Sequence, residues 1–287
     1  MKILLLCVFL SMYDMKNILT NDKLLFEHFS CRALTIGTNG VNTPNNHFDG
    51  CLDSISYVAR AKNATEVLDA ATLVVNIPFD GNSLLDQSPL MINGSGTSYS
   101  FLASGRVNTA VTLSGSPSYV RVTGLRRIGT HNWPYTVAIW IRPSSVAGGT
   151  IMHLSSHIDG SVTSGWCLPI MGLTSSGQIA IDSWNGGDIP ITGPSVAINT
   201  WTHVAATYSQ SNGLRLYVNG VLRGNSAAFN FMSGNNPMTL ILGTSLAGTG
   251  VCATGTIQQG QYSGSLDEFR VYARELTAAQ ISTLANP

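Results

Sequence analysis

From residue 73 onward, short apolar runs alternate with clusters of Gly, Asn, Ser and Pro. Thr136, Val137, Ala138, Ile139, Trp140 and Ile141 read as one strand, closed by Arg142-Pro143-Ser144-Ser145. WTHVAATY (residues 201–208) reads as another. LRLYV follows from Leu214 to Val218, then Asn219-Gly220, then VLRG. An Asn-Gly pair between alternating runs predicts a tight hairpin, because both central residues of a type I′ turn need positive φ. Leu214, Leu216 and Val218 alternate with Arg215 and Tyr217, which predicts one buried face and one wet face. Short strands at this spacing, with no helical runs between them, predict an all-β, two-sheet antiparallel sandwich of jelly-roll type. One helix stands out, at the C-terminus. Thr277 and Gln280 form a capping box there, ahead of an apolar stripe of Ala278, Ile281 and Leu284.

A phrase occurs twice. FDGCLDSISYVAR (48–60) resembles YSGSLDEFRVYAR (262–274). With the two aligned, Gly50/Gly264, Leu52/Leu266, Asp53/Asp267, Ala59/Ala273, Arg60/Arg274, Ala64/Ala278 and Ala71/Ala285 are identical. Asn63 and Glu66 repeat the cap of the terminal helix. This self-similarity predicts three regions. Residues 1–29 are an N-terminal segment. Residues 30–72 are the C-terminal piece of a preceding repeat, and 73–287 are a complete copy. A lone hairpin and helix cannot close a sandwich core, so the chain is expected to belong to a tandem array or an incomplete reading frame. Lys2 followed by the apolar run Ile3 to Leu10 has the form of a signal peptide, but no small-residue cleavage site follows it.

Composition narrows the function classes. Only 10% of residues are charged, against about 25% in an average soluble protein, and the net charge is zero. Nucleic-acid binding is set aside, because it needs a basic stripe. No apolar run is long enough for a membrane-spanning segment. The five Cys include no C-x-x-C pair, which argues against a zinc knuckle or a redox motif. Asn63 and Asn93 open sequons and are glycosylation candidates in a secreted chain.

The run Asn199–Gly224, then TLILGT, then YSGSLDEFRVYARELTAAQI resembles the laminin-G-like jelly roll of the concanavalin A-like lectin/glucanase superfamily. LVVNIPFDGN (73–82), SYVRVTGL (118–125) and YTVAIWIRP (135–143) resemble its earlier strands. The resemblance implies adjacent first and last strands. Phe269, Val271 and Ala273 would face one way, and Arg270 and Tyr272 the other. It implies core packing for Trp140, Trp201, Tyr217 and His203. It implies a loop-to-strand disulfide, Cys167–Cys252, with Cys31–Cys51 as a second candidate pair in the partial copy. Domains resembling this one bind Ca²⁺, so Asp80, Asp86 and Asp267 are candidate ligands for that cofactor; the alternative is turn and strand capping.

Glucanases of this superfamily carry E-x-D-x-E or E-x-D-x-x-E on one strand, which places alternate carboxylates on one face. No such run occurs here, and G-x-S-x-G is absent too. The chain is therefore expected not to be an enzyme. His153 and His157 stand four apart in a strand-like stretch and are read as structural or solvent-facing. The polar, Gly-rich loop WNGGD (184–188) is the candidate ligand site. Trp184 could stack a sugar ring while Asn185 and Asp188 bind its hydroxyls; the alternative is a Trp tucked beneath the loop. The expected function is a secreted or extracellular recognition or adhesion module whose partner is a glycan or an extracellular protein. Two alternatives remain: an accessory carbohydrate-binding part of a larger hydrolase, or a spacer in a tandem array.

Overall fold

The computed structural model describes residues 50–51, 58–160, 165–246 and 252–287. The chain divides into two units after Asp53, and the second, from Ser54 to Pro287, carries the elements below. Helix α1 (Ala64–Thr72) leads directly into β1 (Leu73–Ile77). Then come β2 (Ser95–Thr97), β3 (Tyr99–Leu102), β4 (Ala110–Leu113), β5 (Tyr119–Leu125), β6 (Tyr135–Pro143), β7 (Gly149–Ser155) and β8 (Cys167–Leu173). They are followed by β9 (Gln178–Ile181), β10 (Ile191–Ser195), β11 (Thr202–Ser209), β12 (Gly213–Val218), β13 (Val221–Asn225), β14 (Met238–Leu242), β15 (Gly264–Tyr272) and α2 (Ala278–Leu284).

Two antiparallel sheets form the predicted sandwich. One runs β13-β12-β11-β6-β15-β4-β3, with β1 also on β15; the other runs β10-β9-β8-β7-β14-β5-β2. Val137, Ile139 and Ile141 of β6 and Val204, Ala206 and Tyr208 of β11 point into the shared core. Leu154, Leu240 and Val122 meet them from the second sheet. Asn219 and Gly220 both have positive φ, as the hairpin requires.

First and last strands are neighbours, as expected. The first half of β15 pairs with β4 through Gly264, Ser265 and Leu266. Its second half pairs with β1 from Phe269 to Tyr272. The change of partner falls at a bulge, where Glu268 has φ 52° and the register with β6 shifts between Asp267 and Arg270. Phe269 and Val271 face the core, while Tyr272 faces the other way.

The sheet's outer side departs from the alternation. The face expected to be wet carries Ala138, Ala205, Tyr217 and Tyr272, and helix α2 covers them with Ile281 beside Leu276. Tyr217 is therefore buried, against the alternation but as the family resemblance implied. The reason is tertiary: a helix some sixty residues downstream folds back onto that face. Further along the same side, Trp140 is buried beneath the Arg106 guanidinium, 4.5 Å from its ring centroid, and against His203. Trp201 is half-buried.

Both capping boxes form. Asn63 accepts from the Glu66 amide and Thr277 accepts from the Gln280 amide, each with the reciprocal bond. Helix α1 is tied to the sandwich by Arg274, which donates to Thr72 Oγ1 and pairs with Asp69 at 2.6 Å. Helix α1 thus lies within the unit that runs from Ser54 to Pro287. Residues 1–29 and most of the segment from 30 to 57 lie outside the described residues.

Candidate binding site

The WNGGD loop follows β9 and is built by its own backbone. Trp184 bridges Asp188, the Asn185 amide donates to the Gly187 carbonyl, and the Trp184 carbonyl accepts from Met232. These bonds roll the Trp184 ring partly onto the core, so it is half-buried rather than a free platform. Asn185 and Asp188 remain exposed. The three residues expected to act together share one short loop, with Asn185 and Asp188 exposed and Trp184 partly packed on the core.

Under the loop lies a residue that sequence reasoning did not single out. Asp182 is buried, 1% exposed. Its Oδ1 accepts from the amides of Ser183 and Ile189. Its Oδ2 has no hydrogen-bond partner. Burial, then the charge of Asp188, push its pKa up to about 8. Gly255 closes over this oxygen with φ 52°; a Cβ there would stand 2.7 Å from Oδ2. The loop is therefore packed on a carboxyl group that burial keeps largely protonated at neutral pH.

The three acids assigned to calcium are placed differently. Asp86 is 6% exposed and accepts from the Asn76, Ser88 and Ile92 amides and from the Ser88 hydroxyl. Asp267 sits at the β15 bulge. Its Oδ2 accepts from the amides of Arg106 and Val107, and its Oδ1 from Glu268. Burial pushes its pKa up to about 7, with those amides pulling the other way. Asp80 accepts from Asn108 Nδ2 and the Thr109 amide. Asp80 and Asp267 therefore touch one short segment, 106–109. The three carboxylates do not converge on a point: the one described group of three close metal-ligating side chains is His153, Cys167 and Cys252. A calcium ion on Asp86 or Asp267 would have to displace backbone amides.

Cys167 and Cys252 form the expected disulfide, with Cα atoms 5.7 Å apart. It closes a separation of 85 residues, which in the chain-entropy account contributes about 4.6 kcal/mol. Cys51 is exposed with a free thiol, and Cys31 lies outside the described residues. His153 lies on a strand as read, but it is fully buried; His203 is packed as expected. Asn63 and Asn93 are both exposed. Asn63 caps α1, and Asn93 accepts from the Asp86 amide.

Two stacked antiparallel sheets with their first and last strands side by side define a lectin-like jelly roll. A family model described as the concanavalin A-like lectin/glucanases superfamily, in its Laminin_G_3 form, matches residues 90–282, and the chain belongs to that family. No curated protein sequence matches it. Among solved structures, domain 4 of AbnA, a GH43 extracellular arabinanase from Geobacillus stearothermophilus, was determined with arabinotriose. It is similar with TM-score 0.52 at 20% identity, over 75% of this chain and 98% of that one. The binding domain of Paraclostridial Mosquitocidal Protein 1 gives 0.55 at 20% identity, over 76% of this chain. A structure of botulinum neurotoxin type C, whose cell entry depends on interaction with two ganglioside molecules, gives 0.51 at 16%, over 78%. The chain spans about half the length of these two toxin chains, 52% of each. At such identities the likeness is one of fold.

Proposed function

We propose that this protein is a non-catalytic, extracellular recognition module that binds a glycan at the 184–188 loop. The observation that carries this reading is the loop itself: exposed Asn185 and Asp188 beside a half-buried indole. Amide and carboxylate groups bind sugar hydroxyls, and an aromatic edge or face packs against the apolar side of a ring. The absence of paired carboxylates at glucanase spacing in the sequence supports a binding role over hydrolysis. The disulfide supports an oxidising, extracellular compartment. An extracellular protein is the other partner class this surface suits.

One observation favours a second reading, an accessory carbohydrate-binding domain of a larger hydrolase. The arabinanase domain is covered almost end to end, and it belongs to such an enzyme and was determined with arabinotriose bound. The two readings share a site and differ in ligand. A glycan array that includes plant polysaccharide fragments and gangliosides separates them. Binding that Trp184→Ala or Asn185→Ala abolishes supports the site. An array that is empty for the wild type, or binding untouched by both substitutions, overturns it.

Calcium assistance is a separate proposal. It rests on Asp80, the half-exposed acid of the three, lying beside the segment that Asp267 holds. A native-state ligand raises the melting temperature. A rise with added Ca²⁺ that Asp80→Asn removes supports it; an unchanged Tm ends it.

A further inference from the structure

His153 is a polar residue in an apolar place. It lies in the middle of the second sheet, opposite Ile241 of β14 and Pro169 of β8. It is 0% exposed, and neither ring nitrogen meets hydrogen-bond geometry with any protein group. Leaving a buried polar atom unanswered is costly, so the ring's surroundings bear on what it can bind. Those surroundings are sulfur. A ring nitrogen and the sulfurs of Cys167 and Cys252 all lie within 4.8 Å of one another.

We propose that reduction of the Cys167–Cys252 disulfide converts this cluster into a Cys₂His site for a thiophilic divalent cation, with Zn²⁺ the best match. The inference is independent of the glycan reading. Ligand atoms on one tetrahedral zinc stand roughly 3.5 Å apart, given bonds of about 2.0–2.3 Å. The cluster spans at most 4.8 Å, so the nitrogen and sulfurs need close by no more than about 1.3 Å to reach that spacing, and Cys252 sits outside any strand or helix, so its sulfur can withdraw from Cys167 without breaking a sheet. Two thiolates and an imidazole select zinc over the hard cations Ca²⁺ and Mg²⁺.

The chemistry balances. A dithiol supplies two electrons and two protons, is itself oxidised to a cyclic disulfide, and leaves two protein thiols. Binding Zn²⁺ then releases those two protons and forms two Zn–S bonds and one Zn–N bond. One coordination position stays open. While the disulfide is intact neither sulfur is a thiolate, and the site does not exist.

The test uses the full chain, reduced with a dithiol and freed of it by anaerobic gel filtration. Co²⁺ is the probe, because thiolate ligation gives it charge-transfer bands and tetrahedral geometry gives it strong visible bands. The reduced protein should bind one Co²⁺ with both signatures, and Zn²⁺ should displace it. The oxidised protein should show neither. His153→Leu should weaken binding by at least the roughly 10–100-fold that loss of an outer-sphere partner costs. Cys252→Ser should diminish the charge-transfer band. Absent thiolate bands, equal binding by oxidised protein, or wild-type affinity in His153→Leu would each overturn the proposal. If the reduced protein loses its near-ultraviolet circular dichroism, recovery on adding Zn²⁺ supports the site and failure to recover overturns it.

Discussion

Asp267 and Asp182 are both buried aspartates at the end of a strand pairing, and they are held in opposite ways. Asp267 fills the gap where β15 exchanges β4 for β1. Backbone N–H groups reach both of its oxygens, two on one and one on the other. Asp182 has two amides on one oxygen and none on the other, and its nearest charge is another acid, Asp188. Asp86 belongs with Asp267, since four donors converge on it. One set of carboxylates therefore replaces missing backbone acceptors at irregular places in the fold. The other sits under an exposed polar loop with an oxygen unanswered. Structural acids are recognised by full engagement, and the candidate ligand loop by its lack of it.

The strongest way to break this contrast is Asp86→Ala. It leaves three amides and a hydroxyl without their acceptor, and should cost about 3 kcal/mol or more in urea unfolding at constant m. A loss below about 1 kcal/mol would contradict the structural role. The pair Asp182→Asn and Asp267→Asn comes next, with opposite signs expected at pH 8. Asn at 182 keeps one oxygen for Ser183 and Ile189 and turns its NH₂ toward the Asp188 carboxylate. It should gain on the order of 2 kcal/mol. Asn at 267 has a single oxygen for donors on two sides, so it should lose about 1–3 kcal/mol. The pH dependence is a separate readout, and it runs the same way for both residues. Both folded pKa values lie above the unfolded one, so the native state binds more protons between pH 4 and about 7 for Asp267, and between pH 4 and about 8 for Asp182. Stability therefore falls as pH rises through those windows and levels off above them. Each substitution should flatten its share of the decline.

Much of the fold was legible in the sequence because its signals are local. The Asn219-Gly220 turn, the two capping boxes and the alternating core residues of β6 and β11 each depend on a few neighbours in the chain. The repeated phrase shows where that legibility stops. Asn63 and Thr277 cap their helices alike, and Arg60 reaches Glu66 as Arg274 reaches Gln280. Yet α2 buries Ile281 against a sheet, while α1 buries no residue. The cap is written locally, whereas burial needs a distant surface. The same limit hid Tyr217's cover and the burial of Asp182. Nothing in IAID distinguishes a surface acid from one sealed by Gly255, which lies in another part of the chain. The disulfide was legible only through family resemblance, and the placement of His153 against it was not legible at all.

The smallest effect expected is also the most diagnostic of function. Asn185 is exposed, and its backbone N–H bond to Gly187 survives truncation of the side chain. Asn185→Ala should therefore change stability by no more than about 0.5 kcal/mol, the range for surface positions without a structural task. Asp86→Ala, measured beside it, sets the scale of an engaged residue. If Asn185→Ala is thermodynamically silent and still removes glycan binding, the side chain serves a ligand and the contrast between the two sets of polar groups is one of function. If it destabilises the fold by 1 kcal/mol or more, the loop depends on Asn185 for its shape. Its exposed polarity would then be structural after all, and the 184–188 loop would join Asp86 and Asp267 on the other side of the comparison.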